Sequence, residues 1–115
     1  YTTLFRSLKN AKAVLASAKS DDWRTPFRAA QYASQNKQND VASAWFEQAL
    51  KAADESIKAK ETFGNLSGKA NILFAMGRRE SGLAVADAAI ARGKADKADT
   101  ASFEKRIADI RAGKN

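Results

Sequence analysis

The segment from Leu66 to Ile90, LSGKANILFAMGRRESGLAVADAAI, is a rhythm of apolar and small residues broken once by Gly77. Leu66, Ala70, Leu73 and Gly77, and then Gly82, Ala86 and Ala89, recur at intervals of three and four, so each set lies along one side of a helix. Small residues at Ala70, Gly82, Ala86 and Ala89 let two helix axes approach to the near end of the ~8–10 Å range. Gly77 is placed to take the left-handed conformation that ends the first helix, with Arg78 and Arg79 following in the turn. The segment therefore reads as two antiparallel helices packed as one hairpin.

A looser copy lies upstream. Ala29 and Tyr32 stand where Ala70 and Leu73 stand, and Ala42, Phe46 and Ala49 where Gly82, Ala86 and Ala89 stand. The first offset is 41 residues and the second 40, which makes the turn from Asn36 to Asp40 one residue longer than its counterpart around Gly77. A period this long implies a second helix that continues to about Lys58. Around these hairpins the spacing predicts a first helix over Thr3 to Lys19, with Leu4, Leu8, Ala11 and Leu15 on one stripe. The second helix is expected to start near Thr25, with Thr25 as cap and Pro26 in the first turn. Asp40 caps the third, Gly93 closes the fifth, and a last helix opens at Asp99 or Thr100 with Phe103, Ile107 and Ile110 on its inner side. With one proline and few valines or isoleucines, no sheet is expected. The result is an all-α chain of about six helices forming one helical-repeat domain over residues 1–115. It divides into an N-terminal helix (1–20), a first repeat (22–60), a second repeat (63–93) and a C-terminal capping helix (99–113).

The positions Leu66, Ala70, Leu73, Gly77, Gly82, Ala86 and Ala89 resemble the tetratricopeptide repeat, with its large residue, small residue, leucine or aromatic, turn glycine and alanine-spaced second helix. More particularly, DDWRTPFRAAQYASQN and the run from Ser56 to Ile110 resemble the C-terminal helical region of a bacterial domain-of-unknown-function family, number 2911. That resemblance covers nearly the whole chain and implies no activity. It does imply a periplasmic or cell-envelope location, because members of that family usually carry secretion signals. The tetratricopeptide resemblance implies a binding groove lined by the first helix of each hairpin. Arg24, Arg28, Gln31 and Gln35 share one face of the first, and Ser67, Asn71, Ala75 and Arg78 the equivalent face of the second. Guanidinium and amide groups so placed suit the carboxylates and backbone of a peptide. One subtype grips a peptide C-terminus with lysines and asparagines. Asn71 matches such an asparagine, but Ser67 stands where the lysine would be and Ala30 where an upstream helper would be.

Chemistry is otherwise sparse. The chain has no cysteine and no histidine, which removes thiolate chemistry, disulfides and the commonest base and metal ligand. Asp21/Asp22 and Asp54/Glu55 are adjacent pairs, which a helix splays about 100° apart instead of converging. No catalytic residue, cofactor or metal is expected, and no segment approaches the ~20 apolar residues of a membrane span. Net charge is +7, a balance that favours acidic partners, with nucleic acid or another polyanion as the second reading. The cations are dispersed, and the aromatics fall on helix stripes, as core residues do. Trp45 and Phe46 are neighbours and cannot face the same way on a helix. Trp45 either packs on the N-terminal helix or stays exposed, marking a contact with another subunit or domain. The expected function is a non-catalytic protein–protein interaction module.

Overall fold

In a computed structural model residues 8–113 are described, and among them there are six helices and no strand. They are α1 (Leu8–Ala16), α2 (Arg24–Gln35), α3 (Asn39–Ala59), α4 (Phe63–Ala75), α5 (Arg79–Ala95) and α6 (Ala101–Arg111). They pack as two compact units, Tyr1–Ser56 and Ile57–Asn115, with the division falling in the last turns of α3. No helix among the described residues is long and apolar enough to cross a membrane.

The helix boundaries follow from local chemistry, in places not where the sequence spacing put them. Leu4 and the first residues of the expected N-terminal helix lie outside the described residues. Within them α1 stops at Ala16, short of Lys19, where Ser17 turns back and both its N–H and hydroxyl donate to the Val14 carbonyl. Helix α2 begins before Thr25, and its cap is Asp22. That carboxylate accepts the Thr25 N–H at 3.1 Å and the Thr25 hydroxyl at 2.6 Å. Burial opposes ionisation of Asp22, but Thr25 and the nearby Arg24 outweigh it and hold the carboxyl below its ordinary value. Forty residues on, the same position is Thr62, which forms a capping box with Asn65, each side chain accepting the other's backbone N–H. The Asn65 amide also donates to the Lys60 carbonyl at 2.7 Å and the side chain is buried, so Asn65-Leu66-Ser67, although it has the spacing of a glycosylation acceptor, is a helix start.

Three helices end in one and the same motif. Gln38, Arg78 and Ala98 donate their N–H groups to the carbonyls of Ala33, Leu73 and Gly93, and the residues before them, Lys37, Gly77 and Lys97, sit at φ +60°, +80° and +58°. Gly77 is the helix-ending glycine that the spacing predicts. Gly93 is not: α5 continues to Ala95 and Lys97 takes the left-handed position. Gly93 is buried because a Cβ there would lie 2.5 Å from Thr100 Cγ2 and 3.0 Å from the Phe63 ring.

These caps set a constant offset of 40 residues between the hairpins. Buried Pro26, Ala30 and Ala33 match buried Leu66, Ala70 and Leu73, and Ala42, Phe46, Ala49 and Ala53 match Gly82, Ala86, Ala89 and Gly93. The offset of 41 at Ala29 and Tyr32 is corrected by this register, since the two turns are equally long. Ala29 is buried as well, so two adjacent alanines both fit the apolar pattern and the sequence spacing alone does not choose between them.

Among the described residues of Tyr1–Ser56, eight of the twelve buried apolar residues, Pro26 included, are alanines, which lets the helices approach closely. Phe27 of α2 meets Phe46 of α3 with ring centroids 6.1 Å apart. Within Ile57–Asn115, Ala70, Ala86 and Ile107 form a buried cluster flanked by Phe74, Leu83, Val85, Ile90, Phe103 and Ile110, so α6 closes the core of the α4–α5 hairpin. Phe63 and Phe103 stack edge to face at 5.6 Å. Helix α4 is buried along a second line as well, Asn65, Gly68 and Ile72, which a single-stripe reading does not anticipate.

Candidate functional site

The α4 face expected to line a groove is partly occupied by its own unit. Its hydroxyl donor, Ser67, turns inward to the Gly64 carbonyl at 3.1 Å. Asn71 accepts a hydrogen bond on Oδ1 from Nη1 of Arg106, which reaches across from α6, and the same guanidinium lies over the Phe74 ring at 5.8 Å. Arg106 is exposed, and no carboxylate among the described residues pairs with it. Its position is thus set by a neutral amide and an aromatic face while its charge stays uncompensated.

The surrounding charges hold α6 in place. Arg79 Nη2 donates to the carbonyls of Ile110 and Arg111 at 2.7 and 3.1 Å, covering the negative end of the helix. Arg111 pairs with Asp87 of α5 at 2.6 Å. At the other end Glu104 accepts from the Thr100 hydroxyl at 2.7 Å and pairs with Lys94 at 3.2 Å, and these contacts hold its carboxyl below the ordinary value. Arg92 pairs with Asp96, the residue that follows α5. Helix α6 is therefore tied at both ends, which fixes the base of the Arg106 side chain relative to Asn71.

No family model, curated protein or solved structure matches the chain. The site is therefore read from its residues alone.

In Tyr1–Ser56, Arg24, Arg28 and Gln35 of α2 are exposed and Gln31 is half-buried. Arg24 stacks over the Trp23 ring at 4.4 Å. Arg28 has no side-chain partner among the described residues, whereas Gln35, like the exposed Arg78 that precedes α5, is engaged with another group. The exposed-contact reading of Trp45 is corrected: its side chain is 8 % exposed. Helix α3 buries two lines, Ala42-Phe46-Ala49-Ala53 and Trp45-Ala52, so neighbouring residues about 100° apart are both covered. Among the described residues no three acidic side chains group in a way that would hold a metal ion.

Arg106 is the residue that the sequence spacing did not single out. The signal that points to it is positional. With Phe103, Ile107 and Ile110 turned to the hairpin, residue 106 falls at the edge of that stripe, beside whatever helix α6 packs on.

Proposed function

We propose that the chain is a non-catalytic interaction module that binds a peptide or a partner protein on a tetratricopeptide-like helical scaffold. The observation that carries this reading is Arg106, a guanidinium pre-positioned by Asn71 and Phe74 with most of its donors unspent. A planar fork held in this way loses little freedom on meeting a carboxylate, and a half-buried ring beside it offers apolar contact. Arg24, Arg28 and Gln31 of α2 present a similar mixture of cation and amide, so each unit offers a face of this chemistry by itself. The absence of histidine and cysteine from all 115 residues leaves few groups for catalysis. A periplasmic or cell-envelope location is proposed from the family resemblance.

The second reading, binding of nucleic acid or another polyanion, is favoured by one observation. Twelve lysines and arginines face seven aspartates and glutamates in Ile57–Asn115, against eight and six in Tyr1–Ser56. Against it, Arg79, Arg92, Lys94 and Arg111 are all engaged within that unit. Capture from cell fractions at low and high salt with the wild-type chain and with Arg106→Ala separates the two. A defined protein that binds wild type and is lost from the variant supports the peptide reading. Recovery of nucleic acid only, at low salt only and equally by both chains, supports the polyanion.

A further inference from the structure

The Phe74 ring of α4 touches both of the other helices of Ile57–Asn115. It rests against Gly82, a buried residue near the start of α5, where a Cβ would lie 2.6 Å from ring atoms Cδ1 and Cε1 and 3.2 Å from Cζ. An ordinary carbon contact is ~3.5–4.0 Å. The same ring carries the Arg106 guanidinium of α6, 5.8 Å from its centroid. In the equivalent hairpin the close packing is met without a glycine. Forty residues earlier the matching positions are Ser34, which is exposed, and Ala42, which is buried, so a methyl group stands at this point where the sequence has no ring to rest on it.

An alanine at position 82 would have to displace the ring, because Phe74 is only half-buried and its side chain yields before helix backbone does. Arg106 rests on that ring and on Asn71, so where the ring lies decides where the guanidinium lies. We propose that Gly82 is a positioning residue of the Arg106 site: the room it leaves on α5 seats the Phe74 ring, and the seated ring sets the guanidinium. This rests on Arg106 being the donor proposed above. It adds that α5 controls that donor, through a residue with no side chain to offer a ligand.

The Arg106 Nε–H signal of the 15N-labelled full chain, identified by its loss in Arg106→Lys, reads this without a partner, so its outcome is separate from that of the capture experiment. Gly82→Ala should lower Tm and shift the signal toward that of exposed Arg28. Phe74→Ser should shift it too. In that background, which copies the Ser34 and Ala42 pair, Gly82→Ala should instead raise Tm, since the better helix former then acts alone, and should shift the signal no further. Thr62→Ala, which weakens the same hairpin at the far end of α4, should leave the signal in place. Gly82→Ala that raises Tm in both backgrounds, or that lowers Tm with the Arg106 signal unmoved, overturns the proposal, as does Thr62→Ala moving the signal equally. Phe74→Ser with no shift overturns it as well, a result that stands even where Gly82→Ala does not fold.

Discussion

The three identical helix ends isolate the cost of a left-handed residue. Lys37, Gly77 and Lys97 occupy equivalent positions at φ between +58° and +80°, all three exposed, and a Cβ at Gly77 would meet nothing within 4 Å. Backbone strain is therefore the term that distinguishes lysine from glycine there. Left-handed backbone costs an L-residue about 1–2 kcal/mol, and the extra freedom of glycine in the unfolded chain returns about 0.5–1 kcal/mol of that. Lys37→Gly and Lys97→Gly should each stabilise the chain by about 0.5–1 kcal/mol, and Gly77→Ala should destabilise it by about the same amount. Removing a cation from a helix C-terminus subtracts a few tenths of a kcal/mol, which Lys37→Gln measures separately because it keeps the strain and drops the charge. Urea unfolding followed by circular dichroism reads these values, provided the m-value is unchanged. In thermal melts the shift should be about 2–8 °C. Lys37→Gly and Lys97→Gly that are neutral or destabilising, after correction by the glutamine control, would refute the assignment of these residues to the left-handed position.

Gly93→Ala tests the packing of α6 on α5. Overpacking against Thr100 and Phe63 costs about 1–3 kcal/mol and improved helix propensity returns about 1 kcal/mol, so a net loss near 1 kcal/mol in urea unfolding is expected; a gain would mean that Thr100 and Phe63 do not crowd Gly93. Thr62→Ala should cost about 1 kcal/mol by removing the α4 cap, and Asn65→Ala more, because the Lys60 carbonyl and Thr62 N–H lose their partner together. For pH, the folded Glu104 carboxyl is held below its ordinary value near 4.5, so its contribution is present above that pH and is lost as pH falls through the folded value. Thermal melts across the acid range should show Glu104→Gln with a shallower loss of Tm below pH 4.5 than wild type; parallel curves would remove the Thr100 and Lys94 contacts from solution.

The fold was legible where one helix's own residues decide it. Intervals of three and four at Leu66–Leu73 and Gly82–Ala89 need only helical geometry, and the six helices follow from them and from the polar turns. Boundaries were less so, because a cap is chosen by competition. Asp22 and Thr25 both have oxygens that could cap α2, and Gly93 and Lys97 both stand near the end of α5. At α2 the choice is local, Thr25 donating both its N–H and its hydroxyl to Asp22; at α5 it is tertiary, since Gly93 is needed against Phe63 and Thr100, which leaves a lysine to take the strained position. Trp45 shows the same limit from another side. A helix covered on two sides buries neighbouring residues that a single-stripe reading must place on opposite faces.

The candidate site lies further still from the reach of local pattern. Asn71 and Arg106 are 35 residues apart and belong to helices that touch only because α6 returns to the hairpin. In sequence Arg106 is one cation among several near the end of the chain, set apart from Lys105 beside it only by its place at the edge of the Phe103-Ile107-Ile110 stripe. In the fold Lys105 is exposed, while Arg106, also exposed, rests on Phe74 and Asn71, so packing converts one member of a solvated face into a directed donor. The same logic separates charge from function in Ile57–Asn115. Its excess of cations suggests a polyanion, yet Arg79, Lys94 and Arg111 are spent on holding α6, and the positional order they create is what leaves Arg106 aimed and unpaired. If that order matters, Asn71→Ala should weaken a partner that Arg106 binds without altering the overall charge. A polyanion reading predicts no effect from the same neutral substitution, so partner affinity for Asn71→Ala at fixed salt decides between a directed guanidinium and a diffuse field.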